Sequence, residues 1–421
     1  MNLTKKIIIY MIIGAVIGIV LNLTKLNRLE FVDAYLINGL FYIIGQLFIL
    51  SLKMMVVPLV FVSLFCGTTA LREPAMLGSL GGRTLAFYLF TTATAITIAL
   101  TLAITFGVGS GAEIPTDVNY IAAEGRTFTE VILSILDNPV QAMADGNMLA
   151  IIIFAILLGY SASRAGDAGQ KVISFFKDFN EVIMKLVMVI MEFAPIAVLA
   201  ILAKVFAELG FDAVLALAGY FFTVLIVLFF HVLVVYPTLL KVLSGLSPRM
   251  FFSKMRSTLT FAFGTSSSNA TIPVTYKTVT ERLGVENSVA SFSVPFGATI
   301  NMDGTSIMQG VATVFIANAY GIDLTGGQLV TVVLMATMAS IGTAGVPSAG
   351  LVMLQGVLLQ VGLPIEGIGI ILGVDRLLDM TRTAVNVTGD AIVTCIVAKS
   401  IGKLNEDVFN DPNAGEEMLD K

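Results

Sequence analysis

The sequence predicts an all-α polytopic membrane protein of eight transmembrane helices plus two re-entrant helical hairpins arranged as inverted repeats, and three observations carry that expectation. First, 57% of the 421 residues are hydrophobic and 13% are charged, with a mean hydropathy of +0.92, so the solvent for most of the chain is lipid. Second, six apolar stretches, near 7–22, 36–66, 84–108, 128–160, 183–207 and 214–246, are long enough to cross a bilayer and are separated by short charged or Gly/Pro-rich connections. Third, the pattern changes after residue 248, where two segments are each split into halves too short to span ~30 Å of hydrocarbon.

The first split segment, 248–284, is interrupted by Gly264-Thr-Ser-Ser-Ser-Asn-Ala-Thr271 and Pro273, and the second, 326–364, by Ile341-Gly-Thr-Ala-Gly-Val-Pro347-Ser-Ala-Gly350. Each is followed by one long helix, about 287–320 and about 366–402, which completes the count of eight. The helix between them crosses the membrane, so the two hairpins enter from opposite sides and form an inverted repeat. Irregular backbone at membrane depth survives only where protein or a water-filled cavity satisfies it, so both tips are expected to meet near the midplane.

Each long helix carries polar residues in its middle, Asn301-Met-Asp303-Gly-Thr305 in one and Asp375, Arg376, Asp379, Arg382, Thr383, Asn386 and Asp390 in the other. At 100° per residue, positions 375, 379, 382, 383, 386 and 390 fall within about a third of the circumference, one polar stripe. At roughly 2.5–3.5 kcal/mol per mid-membrane charge, that stripe must face protein or water, and such residues mark a site. Half-helix N-termini offer free N–H groups to an anion, and broken carbonyls can coordinate a desolvated cation. Oxygens of Asn301, Asp303, Asn386 and Asp390 suit Na⁺ better than a transition metal, which would want His or Cys.

Lys5 and Lys6 precede the first span, and Lys241, Arg249, Lys254 and Arg256 follow the sixth, whereas Glu113, Asp117 and Glu124 lie in a loop expected on the opposite side. These charges place the N-terminus in the cytoplasm of a plasma (inner) membrane protein. No small-residue cleavage site precedes Asn22 and Lys25, so the first apolar stretch reads as a retained helix. Cys66 and Cys395 both sit in apolar stretches and read as packing residues. The single histidine, His231, removes most zinc and triad options and reads as interfacial packing. The net charge of −5 sits mostly in loops, Glu406 to Lys421 reads as a solvated cytoplasmic tail, and no nucleic-acid partner is implied.

Ser266-Ser-Ser268, Asn301-Met-Asp-Gly-Thr305, Gly345-Val-Pro347 and Asp379-Met-Thr-Arg-Thr-Ala-Val-Asn-Val-Thr-Gly-Asp390 occur in the order of, and together resemble, the dicarboxylate/amino acid:cation symporters, the excitatory amino acid transporter family. The resemblance runs from about residue 5 to 403. It implies a homotrimer in which scaffold regions 1–70 and 128–209 hold transport regions 71–127 and 210–403, each moving cargo as an elevator, with 404–421 as tail. By matching motif, Arg382 would grip the side-chain carboxylate of bound L-aspartate or L-glutamate and Asp379 its α-ammonium. Thr383 and Asn386 would assist at the amino and carboxylate groups, and Ser267, Ser268, Thr305, Val346 and Gly350 would close over the substrate. The resemblance also implies three Na⁺ sites: Asp390, Asn386, Asn301 and the Gly297 carbonyl; backbone near Thr299, Ser340, Ile341 and Thr343; and Tyr88, Thr91, Thr92, Asn301 and Asp303.

The chain departs from the family at three positions. Archaeal members carry an arginine where Ser266 stands and animal members one where Met380 stands; neither position is basic here, and Arg376, one turn before Met380, is expected to supply that charge beside Asp379. Gln309 stands where animal members carry a glutamate associated with proton cotransport, which favours a sodium-only cycle over a proton-coupled one. Keeping both Arg382 and Asp379 favours an acidic amino acid over a neutral one or a simple dicarboxylate. Two other classes compete: a channel, since polar midplane helices also line pores, with an anion conductance known in the family, and an intramembrane hydrolase. The hydrolase reading lacks a base near Ser267 and a Gly-x-Gly-Asp motif, so the chain is expected not to be an enzyme.

Overall fold

The computed structural model describes residues 3–69, 80–111, 136–145, 147–343 and 347–415, together with residues 133 and 345. The acidic loop with Glu113, Asp117 and Glu124 lies outside the described residues. Those that are described form helices and connections, with a single isolated antiparallel bridge, Val285 to Leu404.

Helix α1 (Leu3–Leu23) is followed by α2 (Tyr42–Thr69), entered through π-helical turns at Val32–Phe41, and by α3 (Gly82–Phe106). Helices α4 (Pro139–Asp145) and α5 (Met148–Arg164) are separated at Asn147, whose side chain caps α5 by accepting from the Ala150 amide. The expected span 183–207 is instead a longer bent pair: α6 (Gly166–Met191) and α7 (Ala194–Leu209) meet at 47°. Residues 166–182 read as a connection because their charges lower the hydropathy. In the fold they continue an amphipathic helix that buries Ile173, Ile183 and Val187 and exposes its lysines. Helix α8 (Phe211–Phe230) runs through a π turn, His231–Val235, into α9 (Tyr236–Ser244).

The two split segments are helical pairs. The first comprises α10 (Pro248–Thr265), opened by a Ser247 cap with Pro248 at its first position, and α11 (Ser268–Lys277), which extends in a π turn to Arg282. The second comprises α14 (Gly326–Gly342), started by a Thr325/Gln328 capping box, and α15 (Ala349–Gln360). Each tip holds a serine in the left-handed region, Ser266 at φ 52° and Ser348 at φ 64°.

The helix expected over 287–320 is broken into α12 (Asn287–Ile300) and α13 (Asp303–Ala319), because Asn301 and Met302 leave helical geometry. The break exposes carbonyls at the end of α12 and amides at the start of α13, and neighbouring side chains satisfy them: the Ile300 oxygen accepts from Ser340, and the Gly304 amide donates to Asn386 at 2.7 Å. The last long helix, α16 (Ile368–Ser400), is buried over most of its length. Beyond it the expected solvated tail is docked: α17 (Glu406–Asn410) packs with Phe409 fully buried.

By length and composition four described helical segments are apolar enough to cross a membrane, or five with the bent pair counted as one span. The polar stripe of α16 and the break between α12 and α13 keep those segments off that count. Helices α1, α2, α5, α6 and α7 pack on one another, while α3 and α8 to α15 gather around α16; the two groups meet where α7 lies on α16 and where α14 and α15 lie on α2.

Candidate binding site

Two polar clusters lie along α16, their centres roughly 12 Å apart at 1.5 Å per residue. The upper one is ionic. Arg382, 1% exposed, donates from Nη1 to Asp375 Oδ1 at 2.7 Å and from Nη2 to Asp379 Oδ1 at 2.7 Å. Asp379 Oδ2 accepts the Ser348 amide of the second hairpin tip at 3.1 Å, so the same carboxylate that holds the arginine also holds the tip. The Arg382 Nε is buried with no hydrogen-bond partner among the described residues. Nε and Nη2 form the side-on edge of a guanidinium, the pair of parallel donors that fits a carboxylate. A planar anion could therefore take that edge if Asp379 yielded Nη2, while Asp375 kept Nη1.

The sequence marked Asp375 as part of the stripe without a role; the fold makes it the group that fixes the arginine fork. Arg376 stands beside Asp379 as expected, its Nη1 3.5 Å from Oδ2, and Arg382 lies closer, with Nη2 2.7 Å from Oδ1. Thr383 spends its hydroxyl proton on the Asp379 carbonyl at 2.8 Å, which leaves its oxygen lone pairs to accept. Asn386 sits between the clusters, its Oδ1 on the Gly304 amide and its Nδ2 toward Met302 Sδ at 3.2 Å and Thr305 Oγ1 at 3.4 Å.

The hairpin tips meet beside this ionic group. Ser267 caps α11 and donates to the Gly345 carbonyl at 2.7 Å, and the Asn269 amide donates to the same carbonyl at 3.0 Å. Ser268 is buried at the start of α11. Gly350 lies against Thr305, and its carbonyl accepts from Gln309 Nε2 at 3.4 Å. Val346 lies outside the described residues.

The lower cluster is acidic, and among the described residues no lysine or arginine is bonded to it. Asp303, fully buried, accepts Thr92 Oγ1 at 2.6 Å and Tyr236 OH at 2.8 Å. Asn301 donates to Asp390 Oδ1 at 3.0 Å and toward the Asn386 carbonyl at 3.4 Å, and its own Oδ1 accepts Thr91 at 3.3 Å. Tyr88 donates to the Ser293 carbonyl at 2.9 Å, and its hydroxyl faces Gly297. A Cβ at Gly297 would lie 2.5 Å from Asp390 Oδ1 and 2.6 Å from the Tyr88 hydroxyl, so glycine is needed for α12, α3 and α16 to converge. Among the described residues no trio of His, Cys, Asp and Glu forms a transition-metal set. The donors are carboxylate, amide, hydroxyl and carbonyl oxygens, the set a hard monovalent cation prefers.

The residues of the second expected cation site are less convergent. Ser340 bonds to the Ile300 and Thr337 carbonyls, both at 2.9 Å, and the Thr343 hydroxyl to the Ala339 carbonyl at 2.8 Å. Thr299 bonds locally to the Pro295 carbonyl at 3.1 Å. Ile341 and Thr299 lie together against Gly67 of α2.

Two residues of the lower cluster escaped the sequence reading. Tyr236 is fully buried on Asp303, and His231 is not interfacial: it is fully buried, with Nε2 3.5 Å from Asp303 Oδ2 and its ring edge-on to Tyr236 at 4.4 Å. The π turn at 231–235 brings both inward, and π turns leave no clear trace in hydropathy. One available signal was that any ionisable side chain inside an apolar span points to a site.

The model of the sodium:dicarboxylate symporter family matches residues 3–400. Among curated relatives, the proton/sodium-glutamate symport protein of Bacillus subtilis (strain 168) is 33% identical over 86% of this chain and 86% of its own length. The proton/glutamate-aspartate symporter of Escherichia coli (strain K12) is 32% identical over 94% of this chain and 92% of its own. An excitatory amino acid transporter of Caenorhabditis elegans is 36% identical over 84% of this chain and 80% of its own.

Proposed function

The chain belongs to the sodium:dicarboxylate symporter family, which makes it a multi-pass membrane protein and a secondary transporter rather than an enzyme, and from that premise we propose that it takes up L-aspartate or L-glutamate together with Na⁺. The observation that carries this reading is the self-paired arginine fork beside a buried carboxylate cluster to which, among the described residues, no lysine or arginine is bonded. An acidic amino acid presents what the fork lacks. Its side-chain carboxylate takes Nε and Nη2 of Arg382, and its ammonium takes Asp379, which has just released Nη2. Each group exchanges one partner for another, so little charge is left bare in the low-dielectric interior. Thr383 and Asn386 reach the α-carboxylate and amino group, and Ser268, Thr305, Gly350 and the backbone at Val346 cover them.

Because Asp379 also holds the Ser348 amide, its change of partner reports occupancy to the second hairpin. Sodium neutralises Asp303 and Asp390, and the shared Asn386 links those cations to the substrate. The helices around α16 move as an elevator against the α1, α2, α5, α6 and α7 scaffold of a homotrimer in the plasma (inner) membrane, N-terminus in the cytoplasm. The hairpins enter from opposite sides, and the second, whose tip Asp379 holds, serves as a gate.

The test is uptake of labelled L-aspartate and L-glutamate into proteoliposomes under an inward Na⁺ gradient, an inward proton gradient or neither, at matched membrane potential. Concentrative uptake with Na⁺ alone is expected. Uptake driven only by protons would keep the substrate assignment and overturn the ion, and only downhill flux would favour a channel.

A further inference from the structure

At the base of the first hairpin, far from the substrate groups, Lys254 of α10 is completely buried with all three ammonium protons in use. It donates to the Arg282 carbonyl at 2.7 Å, the Val408 carbonyl at 2.7 Å and the Phe409 carbonyl at 2.8 Å. The first of these ends the second arm of the hairpin, and the other two belong to α17, so one cation joins both arms to the C-terminal segment. Arg282 answers in the reverse direction, donating from Nη1 to the Lys254 carbonyl at 2.9 Å and from Nε to the Ala414 carbonyl at 3.3 Å. Beside them runs a short antiparallel ladder, Asn405 amide to Gly284 carbonyl at 2.7 Å and Glu286 amide to Lys403 carbonyl at 3.0 Å. Gly284 has φ +72°, and a Cβ there would overlap the Asn405 carbonyl oxygen, so the ladder needs glycine at that point. Lys403 adds bonds to Glu286 at 2.9 Å and Ser288 at 2.7 Å, and Phe409 fills the space beneath, fully buried.

We propose that residues 403–411 are a strap, pinned by Lys254, that ties the two arms of the first hairpin to each other and to the end of α16, and so keeps this hairpin shut while the second one opens. A buried ammonium that loses its carbonyls goes unpaired, so the arms cannot part without breaking the whole set of bonds together. The tip of the second hairpin is held differently, by the Ser348 amide on Asp379 and by the Gly345 carbonyl, which accepts from Ser267 and the Asn269 amide. That this closure matters for gating rests on the transport reading above; the mechanical coupling of strap to hairpin does not.

The experiment uses the full chain with Cys66 and Cys395 replaced by serine and alanine, and spin labels at exposed Ser253 and Lys277 on the two arms. With the strap intact, pulsed dipolar spectroscopy should give one inter-arm distance, unchanged by Na⁺ and L-aspartate. Lys254→Met, or a chain ending at Leu404, should add a longer-distance population above roughly a tenth of the molecules. An unchanged single distance in a folded strapless variant overturns the proposal, whatever happens to uptake. Hydrogen exchange on the unaltered protein covers the case in which both variants fail to fold. The Asn405 and Glu286 amides should exchange in step with those of the hairpin arms, and arms that exchange faster than the strap overturn the coupling.

Discussion

The upper and lower halves of the α16 stripe solve the same problem, charge buried in a membrane protein, in opposite ways. Above, one arginine is shared by two aspartates and the cluster closes on itself. Below, Asp303 and Asp390 accept from neutral donors, Thr92, Tyr236 and Asn301, with His231 Nε2 3.5 Å from Asp303 Oδ2. The first cluster can accept a zwitterion only by exchanging partners; the second can accept a cation by simple addition. Selectivity for substrate should therefore depend on geometry in the upper cluster, and coupling to the ion on charge in the lower one.

The largest expected effect comes from breaking the upper cluster. Arg382→Cys removes the guanidinium that Asp375 and Asp379 share, at a cost of about 3–5 kcal/mol. Uptake of acidic amino acids should fall by more than ~100-fold, while a neutral substrate such as serine, which needs no arginine, gains in competition assays. Unchanged selectivity would remove the assigned role of the fork.

In the lower cluster, Asp303→Asn keeps the shape and deletes the charge. Its amide still offers an acceptor to Thr92 or Tyr236 but sets an N–H₂ against the other donor. A loss of about 3 kcal/mol in cation affinity would raise the Na⁺ concentration needed for aspartate binding by ~100-fold, read by titrating binding against Na⁺. Equal Na⁺ dependence in both proteins would show that the cation lies elsewhere.

The smallest effects separate neighbours. Asp375→Asn loosens the fork without removing it and should raise KM by ~10-fold, about 1.4 kcal/mol, with the maximal rate little changed, because orientation rather than charge is lost. Arg376→Ala removes the longer of the two arginine contacts to Asp379 and should raise KM by less than Asp375→Asn does. A larger effect at Arg376 than at Asp375 would reverse the assignment made from their distances.

Much of this arrangement could be read from the chain, and the misses share a cause. The stripe at 375–390, the two split segments and the polar Asn301-Met-Asp303 run are local patterns, each visible in a window of a few turns, whereas the break at Asn301 and Met302 in a helix expected to be continuous was not. The amphipathic start of α6 was hidden because hydropathy averages over faces, and the role of Asp375 because two acids beside an arginine can pair in several ways. His231 looked like packing and Tyr236 went unmarked, because only the π turn and the approach of α13 bring them to Asp303. The tail looked solvated because its composition is acidic, yet residues 408 and 409 are anchored by two backbone carbonyls on Lys254 and by the buried Phe409 ring.

The sequence by itself determined that this is a helical membrane protein of the symporter type, which halves of it are broken, and which oxygens and charges lie on one face of its last long helix. Periodicity and hydropathy are properties of short stretches, so they survive without a fold. Only the tertiary structure decided which partner each buried charge takes: Arg382 with Asp375 and Asp379, Asp303 with Thr92 and Tyr236, Lys254 with the chain end. The pairings of Asp303 and Lys254 join residues far apart in sequence, whereas Arg382 takes two acids of its own helix, three and seven residues away. In a low-dielectric interior each buried charge must find a partner within hydrogen-bond distance, and chain order does not reveal which one it is.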